Sequence, residues 1–234
     1  MSHHRADAFR LAAVRGLCAC GLVGGRCGQH RRGLDEGTGP VGAAKRIAGM
    51  SRPSAFLRGA QITLRALCEA DADGPYAAWL NEADICAGNS HHVFPYGPEA
   101  ARDYIRAARQ RQDSLQLAIV RTADEVHVGN IALNQIHPRH RSAEFAILLG
   151  DRSAWGKGIA SEAGRLLLAH GFSALGLHRV YCGTFADNAG MIALAGRLGM
   201  KEEGRRSEAA WKDGRFVDVV EFGVLRSEYR PMPV

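Results

Sequence analysis

The sequence predicts an α/β fold of the α+β kind, with a mixed, mostly antiparallel central sheet of about seven strands flanked by four helices. Three observations predict it. Short apolar runs with strand periodicity recur from residue 61 to residue 225, helical-period segments are interleaved with them, and turn residues separate adjacent strand-like runs. Short turns join antiparallel neighbours, whereas a helix between two strands permits a parallel pair.

The elements follow in order. Residues 61–67, QITLRAL, alternate Ile62, Leu64 and Ala66 as a strand does. Asp71 or Asp73 then begins a helix carrying Tyr76, Trp79 and Leu80, and residues 84–97 form an irregular segment holding His91, His92, Phe94, Pro95 and Tyr96. Pro98 suits a first helical position, with Ala101, Tyr104, Ile105 and Ala108 on the apolar side. Strands are expected at 115–121, 126–136 and 141–149, turning at Ala123-Asp124-Glu125 and around Pro138. From Ala160 the residues Ala163, Gly164, Leu167, Leu168, Gly171 and Phe172 recur at helical spacing until Gly176. A strand at 179–185 leads to a helix capped by Asp187 and Asn188, containing Met191, Ile192, Leu194, Ala195 and Leu198, and closed by Gly199. The runs 203–211 and 215–225 close as a hairpin on Lys212-Asp213-Gly214.

Charge separates two regions. The net charge of +6 invites a nucleic-acid reading, yet residues 1–50 hold eight Arg/Lys against three Asp/Glu, and residues 51–234 hold 22 against 21. The second region is nearly neutral, so no basic binding face is implied and neither nucleic acid nor membrane is expected as a partner. The first 50 residues carry ten of the 28 glycines and one aromatic residue, Phe9. They are expected to be a disordered extension or an over-long gene start, with Met50 as the alternative first residue and 51–234 as the folded domain. An apolar run after Arg15 is too short for a signal-peptide core, and Leu17-Cys18-Ala19-Cys20 is a faint lipoprotein-like pattern. The six cysteines form no C-x-x-C pair, which suggests reduced thiols in the cytoplasm; His3, His4, Cys18, Cys20 and Cys27 match no zinc spacing, and no metal is expected.

The stretch from 143 to 172 holds the chemistry. An apolar strand ends in a polar turn, and Trp155-Gly156-Lys157-Gly158-Ile159-Ala160 opens at once into a helix. A helix start has amide N–H groups without internal partners and the positive end of the dipole, and glycine lets backbone approach a ligand closely, so this is an anion site suited to a phosphate or pyrophosphate. A nucleotide-hydrolase P-loop needs a glycine five positions before its Gly-Lys and Ser or Thr after the lysine; Gly150 lies one residue too far away and Gly158 follows Lys157. A dinucleotide fingerprint needs glycine or alanine where Ser161 stands.

The pattern that remains resembles the coenzyme A pyrophosphate loop of the GNAT superfamily of N-acetyltransferases. Trp155 replaces the usual leading Gln or Arg. WGKG looks most like the branch holding the ribosomal-protein N-terminal acetyltransferases (RimJ/RimL type), while HRSAEF at 140–145 and GRFVDVVEFGVL at 214–225 are similar to spermidine N-acetyltransferases. The resemblance covers residues 61 to 229 and implies a GNAT-like sheet, acetyl-CoA as co-substrate and an amine acceptor. It implies that the pantetheine arm pairs with Ile147, Leu148 and Leu149, that Trp155 through Ala160 hold the pyrophosphate, and that Asn188 matches the cofactor-facing asparagine. The two helices before residue 110 and their connecting loop would form much of the acceptor wall.

An ammonium of pKa about 10.4 must lose its proton before attack, usually to a carboxylate or a water chain. Glu144, on the strand beside the thioester, is the leading candidate, with His91 and His92 in reserve; Glu144 could instead tie down a loop, and the histidines could be ordinary loop residues. Lys157 is as readily a solvated cation as a phosphate ligand. The family's frequent general acid, a tyrosine, falls at Ala195, so a thiol of pKa about 8.5 would leave as thiolate. A non-catalytic coenzyme A binding or sensing module is the alternative. Protein N-terminus, polyamine and other small amines all remain open as acceptors, Glu82, Asp84 and Glu99 giving a thin acidic hint, and the exposed sheet edges permit a monomer or a homodimer.

Overall fold

The computed structural model describes residues 53–230. The expectations placed on residues 1–50, including the extension, the leader patterns and the cysteine and histidine residues there, lie outside the described residues. Eight strands build one sheet: β1 (Ala55–Arg58), β2 (Ile62–Ala66), β3 (Leu115–Arg121), β4 (His127–His137), β5 (Ser142–Leu149), β6 (Arg179–Phe185), β7 (Lys201–Lys212) and β8 (Arg215–Leu225). Their spatial order is β1-β2-β3-β4-β5-β6-β8-β7, and every neighbouring pair is antiparallel except β5 with β6. The helices are α1 (Tyr76–Trp79), α2 (Ala83–Cys86), α3 (Pro98–Gln110), α4 (Ile159–Ser173) and α5 (Ala189–Arg197).

Alternation along the strands sorts the side chains into two layers. On β3, Leu117 and Ile119 enter the core shared with Leu167, Leu168 and Phe172 of α4. Ala118 and Val120 point the other way, to Tyr76, Trp79, Ala101 and Ile105 of α1 and α3. Burial on both faces explains why LQLAIVR reads as an almost unbroken apolar run. Each large aliphatic side chain so buried contributes about 1.5–3 kcal/mol relative to exposure.

Two local features depart from the sequence reading. β1 is an added edge strand, four residues long and too short to show a period. The helix expected from Asp71 or Asp73 is instead a 3₁₀ turn at Glu69–Asp71 followed by a separate one-turn helix, because Pro75 lacks an N–H and stands as the N-cap of α1. Tyr76, Trp79 and Leu80 are buried as expected.

The decisive feature is the one parallel pair. β5 and β6 are joined only at Ser142 with Arg179, Ala143 with Val180 and Glu144 with Tyr181. Beyond that point β6 stays with β8 and β5 stays with β4, so the strands part and the edge of Phe145–Leu149 facing β6 has no strand beside it. A crevice at the carboxyl ends of separating parallel strands is where an open sheet accommodates a ligand.

Candidate active site

The parting strands enclose a cleft of about 550 Å³, lined by Phe145 to Leu149 on one side and by Gly183, Thr184, Asn188, Met191 and Leu194 on the other. At its far end lies the glycine turn. Gly156 has φ +72° and Gly158, the N-cap of α4, has φ +80°. This left-handed backbone is natural to glycine and costs other residues roughly 1–2 kcal/mol. The first α4 bond runs from the Glu162 N–H to the Gly158 carbonyl at 3.0 Å, so the amides of Ile159, Ala160 and Ser161 have no intrahelical acceptor, and a glycine cap brings no side chain to satisfy them. Trp155, Gly156 and Ala160 line the cleft. The donor set therefore fits a diphosphate, with unpaired amides, dipole and open approach at one place.

Trp155 does more than occupy the first loop position. Its indole N–H donates to the Leu149 carbonyl at 3.0 Å, which folds the ring against the end of β5. Lys157 is exposed and makes no ion pair among the described residues. Asn188 caps α5 by accepting the Met191 N–H at 3.0 Å, and its Nδ2 donates to the Gly88 carbonyl at 3.1 Å. It serves as cap, as tie to the segment after α2, and as part of the cleft lining.

A second, smaller pocket of about 50 Å³ also borders β5, lined by Tyr76, Leu80, His91, Tyr104, Gln116, Asn130 and Asn134. Ala146, Ile147 and Leu148 line both spaces. The two cavities thus share one strand as a wall. The Tyr104 hydroxyl donates to Gln116 Oε1, and Gln116 Nε2 reaches Asn134 Oδ1 at 3.4 Å. Asn134 is the register partner of Glu144, so this polar row leads to that carboxyl.

Glu144 is buried, at 3% exposure. Its Oε2 accepts from Gln135 Nε2 at 2.9 Å, while Oε1 is buried without a hydrogen-bond partner. Burial pushes its pKa up, the Gln135 hydrogen bond pulls it down, and the negative Glu221 nearby pushes it up again; the net shift is upward. Gln135 reaches it through a bulge. Register slips between Asn134 and His137, and Gln135 has φ +50°, which turns a side chain that simple alternation would send to the α4 face toward Glu144. His91 lines the pocket, its backbone N–H donates to Asn89 Oδ1 at 2.8 Å, and burial lowers its imidazole pKa. His92 is exposed, has φ +65° and lines neither cavity.

The comparison that decides the family is a model described as an acetyltransferase (GNAT) domain, which matches residues 61–201. The chain belongs to the GNAT acetyltransferases. An uncharacterized N-acetyltransferase, p20, of Bacillus licheniformis is 37% identical over 174 residues, covering 72% of this chain and 95% of that protein. A spermidine N(1)-acetyltransferase of Vibrio cholerae is 32% identical over 111 residues, 47% of this chain and 64% of that one. Among solved structures, spermidine N-acetyltransferase from Vibrio cholerae in complex with CoA and spermine is similar with a TM-score of 0.65 and 26% identity, covering 72% of this chain and 98% of that chain. Membership in the GNAT family makes this chain an N-acetyltransferase with acetyl-CoA as co-substrate.

Against the GNAT pattern, Ala195 is fully buried in the main core and lines neither cavity. No tyrosine, cysteine or histidine lines the cleft among the described residues. Sequence reading passed over three residues that the fold brings to the site. Gln135 is hidden because its bulge breaks no visible alternation. Arg197 lines the cleft from the last turn of α5, where a basic residue is ordinarily explained by the helix dipole. Glu162, buried in the first turn of α4, accepts from the Gln61 backbone N–H at 2.9 Å and from Gln61 Nε2 at 3.2 Å; an acid in that turn was the visible signal.

Proposed function

We propose that residues 51–234 form a catalytic domain that moves the acetyl group of acetyl-CoA to a primary amine by direct attack on the thioester. The observation that supports this reading is the wall of Ala146, Ile147 and Leu148 shared by the two cavities, which leaves room for a thioester in the one and an amine in the other.

In this reading the pyrophosphate sits on the amides from Gly156 to Ala160, and the pantetheine arm lies along the free edge of Phe145–Leu149. A backbone N–H within Ile147, Leu148 and Leu149 meets the acetyl oxygen as it gains negative charge. The amine enters from the pocket by Asn134 and gives its proton to Glu144. A raised carboxyl pKa suits that task, since a base works best when its pKa approaches the working pH. The nitrogen then bonds to the acetyl carbon, the carbon–sulfur bond breaks, and the second proton shed by the nitrogen as the amide forms passes through water to the departing thiolate, while Glu144 returns the first proton to solvent. With alanine at 195, no α5 tyrosine assists that last step. His91, held neutral by burial, is the second proton acceptor within the pocket; His92 stands further down that order, exposed and outside both cavities. Lys157 adds charge near the phosphates without a fixed contact.

We read the chain as cytoplasmic, acting on a small amine without nucleic-acid or membrane partners, as a monomer or homodimer. The near balance of charge over residues 51–234 supports the first part, and the free, buried Cys68, Cys86 and Cys182 accord with a reducing compartment. The charged β7 edge, KEEGRRSEAAWK, discourages uncontrolled edge pairing.

Alanine at 195 favours one other reading, a coenzyme A sensor without turnover. Incubating the chain with acetyl-CoA and primary amines while following free thiol separates the two. Amine-dependent thiol release that falls by about 10²–10⁴ in Glu144→Gln is the expected result. Coenzyme A binding with no thiol release on any amine would favour the sensor.

A further inference from the structure

Acetyl transfer to an amine leaves open how many charges the acceptor brings, and the carboxylates around the pocket answer that. Asp84, which lines the cleft, and Glu82 both accept from Arg152 Nη2 at 3.1 Å. Asp73 and Glu99 are paired with Arg102. Glu221, on the Glu144 side of the sheet, is paired with Arg206 at 2.7 Å. Each of these acids already has a guanidinium against it. The pocket itself is lined by tyrosine, asparagine, glutamine and apolar side chains, with His91 and no Asp, Glu, Lys or Arg among the described residues.

Glu144 is the exception. One of its oxygens is buried and unpartnered, and the group beside it is the neutral amide of Gln135, fixed there by the β4 bulge. Glu144 lies behind the pocket lining, as the register partner of Asn134, and is the one acid among these without a cationic partner; its hydrogen-bonded neighbour is a neutral amide, and the nearby Glu221 is already matched by Arg206. An alkylamine nitrogen has a pKa of about 10.4, so a polyamine enters with a positive charge on nearly every nitrogen at neutral pH. Ammonium groups that leave water without a counter-charge are strongly disfavoured.

We propose that the acceptor is a monoamine with an uncharged polar body, and that a polyamine is a poor substrate for this chain. The proposal rests on the acetyl-transfer reading of the same site, and it sets this chain apart from the relatives whose names specify spermidine. The Tyr104, Gln116 and Asn134 row is where hydroxyl, amide or sugar groups of such an acceptor find partners.

The test uses the full chain with acetyl-CoA and four acceptors: glycinamide, glucosamine, spermidine and spermine. Thiol release gives kcat/KM for each, and calorimetry on the coenzyme A-saturated chain gives binding without turnover. The better monoamine should exceed spermidine in kcat/KM by about tenfold or more, the scale of one uncompensated charge contact. Gln135→Glu, which adds a second carboxylate beside the first, should move that ratio toward spermidine. Higher kcat/KM for spermidine than for both monoamines in the unaltered chain would overturn the proposal. If no amine releases thiol, the acetyl-transfer reading fails separately. Calorimetry then still decides the charge question: heat with a monoamine and none with spermidine upholds it, whereas heat with spermidine, or none with either monoamine, overturns it.

Discussion

Asn188 ties two walls of the cleft together, since its Nδ2 donates to the Gly88 carbonyl at 3.1 Å while its Oδ1 caps α5. A Cβ on Gly88 would lie 2.3 Å from Asn188 Nδ2, so the approach depends on glycine there. The pair closes the cleft beside the segment after α2, where Ile85, Gly88 and Asn89 line it.

Replacing Asn188 by serine keeps an N-cap oxygen and removes the tie, whereas alanine removes both. Asn188→Ala should therefore cost about 1 kcal/mol in thermal unfolding that Asn188→Ser largely spares. Both variants should raise KM for acetyl-CoA, by about three- to tenfold on the scale of one hydrogen bond. Steady-state kinetics beside melting curves reads the two effects separately; an unchanged KM in the serine variant would remove the tie from the binding argument.

Glu144 should set the acid limb of kcat/KM. Its folded pKa is raised by burial, against the pull of the Gln135 hydrogen bond and with a further push from Glu221, so activity should fall below an apparent pKa higher than that of an ordinary glutamate. The same shift predicts the stability profile. A carboxyl whose folded pKa exceeds its unfolded value stabilises the fold below the unfolded pKa, and that contribution is lost as pH rises through the folded pKa. Glu144→Gln should thus lose the acid limb and melt higher than the parent at pH 8, with the difference vanishing toward pH 4. Equal melting differences at both pH values would contradict this.

Gly158→Ala tests the anion cradle. At φ +80° an added methyl group meets nothing closer than Gln61 Nε2 at 4.0 Å, so the cost is backbone strain of roughly 1–2 kcal/mol and no steric clash. The strain falls on the residue that opens the first turn of α4. Coenzyme A affinity measured by calorimetry should drop by about tenfold or more, while Lys157→Ala, an exposed side chain without an ion pair, should change it by less than about threefold. The reverse ranking would shift the diphosphate grip from backbone to lysine.

Most of the sheet was legible because its strands are bounded by local signals. Asp213 with φ +49° and Gly214 with φ +78° make the tight hairpin that Asp-Gly announces, and β3, β6 and β8 fall at the expected residues. The glycine turn was legible for the same reason: backbone conformation writes itself into glycine. What escaped depends on partners distant in sequence. Glu82 and Asp84 read as a free acidic hint until Arg152, about 70 residues later, is seen to hold both. Gln135 escaped because a bulge shifts which face a residue serves without changing composition, and β1 because four residues show no period. The parting of β5 from β6 has no local signature either, since it is set by β8 pairing along all of β6.

Behind the acceptor wall, Asp71 anchors the turn before α1 to β2. Its carboxylate pairs with buried Arg65, Oδ1 with Nη2 at 2.6 Å and Oδ2 with Nη1 at 2.8 Å, and Oδ2 also accepts the Cys68 N–H at 2.9 Å. His127 completes the cluster, with Nδ1 3.7 Å from Asp71 Oδ1 and Nε2 2.9 Å from Asn130 Oδ1, a residue that lines the pocket. Burial acts to raise the Asp71 pKa, but the Arg65 and Cys68 hydrogen bonds outweigh it and hold the carboxyl below its ordinary value. A depressed folded pKa gives stability that is present above the unfolded pKa and lost as pH falls through the folded one. Asp71→Asn should therefore destabilise the fold by about 3–5 kcal/mol at pH 7, because Arg65 is left as an uncompensated buried charge. The gap from the parent should narrow only below the ordinary carboxylate range. Arg65→Met with Asp71→Leu removes both charges and should recover most of the loss, as paired buried ions replaced by apolar groups often do. Denaturant unfolding of the three proteins at pH 7 and pH 3.5 measures this, and a double variant no more stable than Asp71→Asn would show that the cluster acts through its hydrogen bonds to Cys68 and the turn more than through charge.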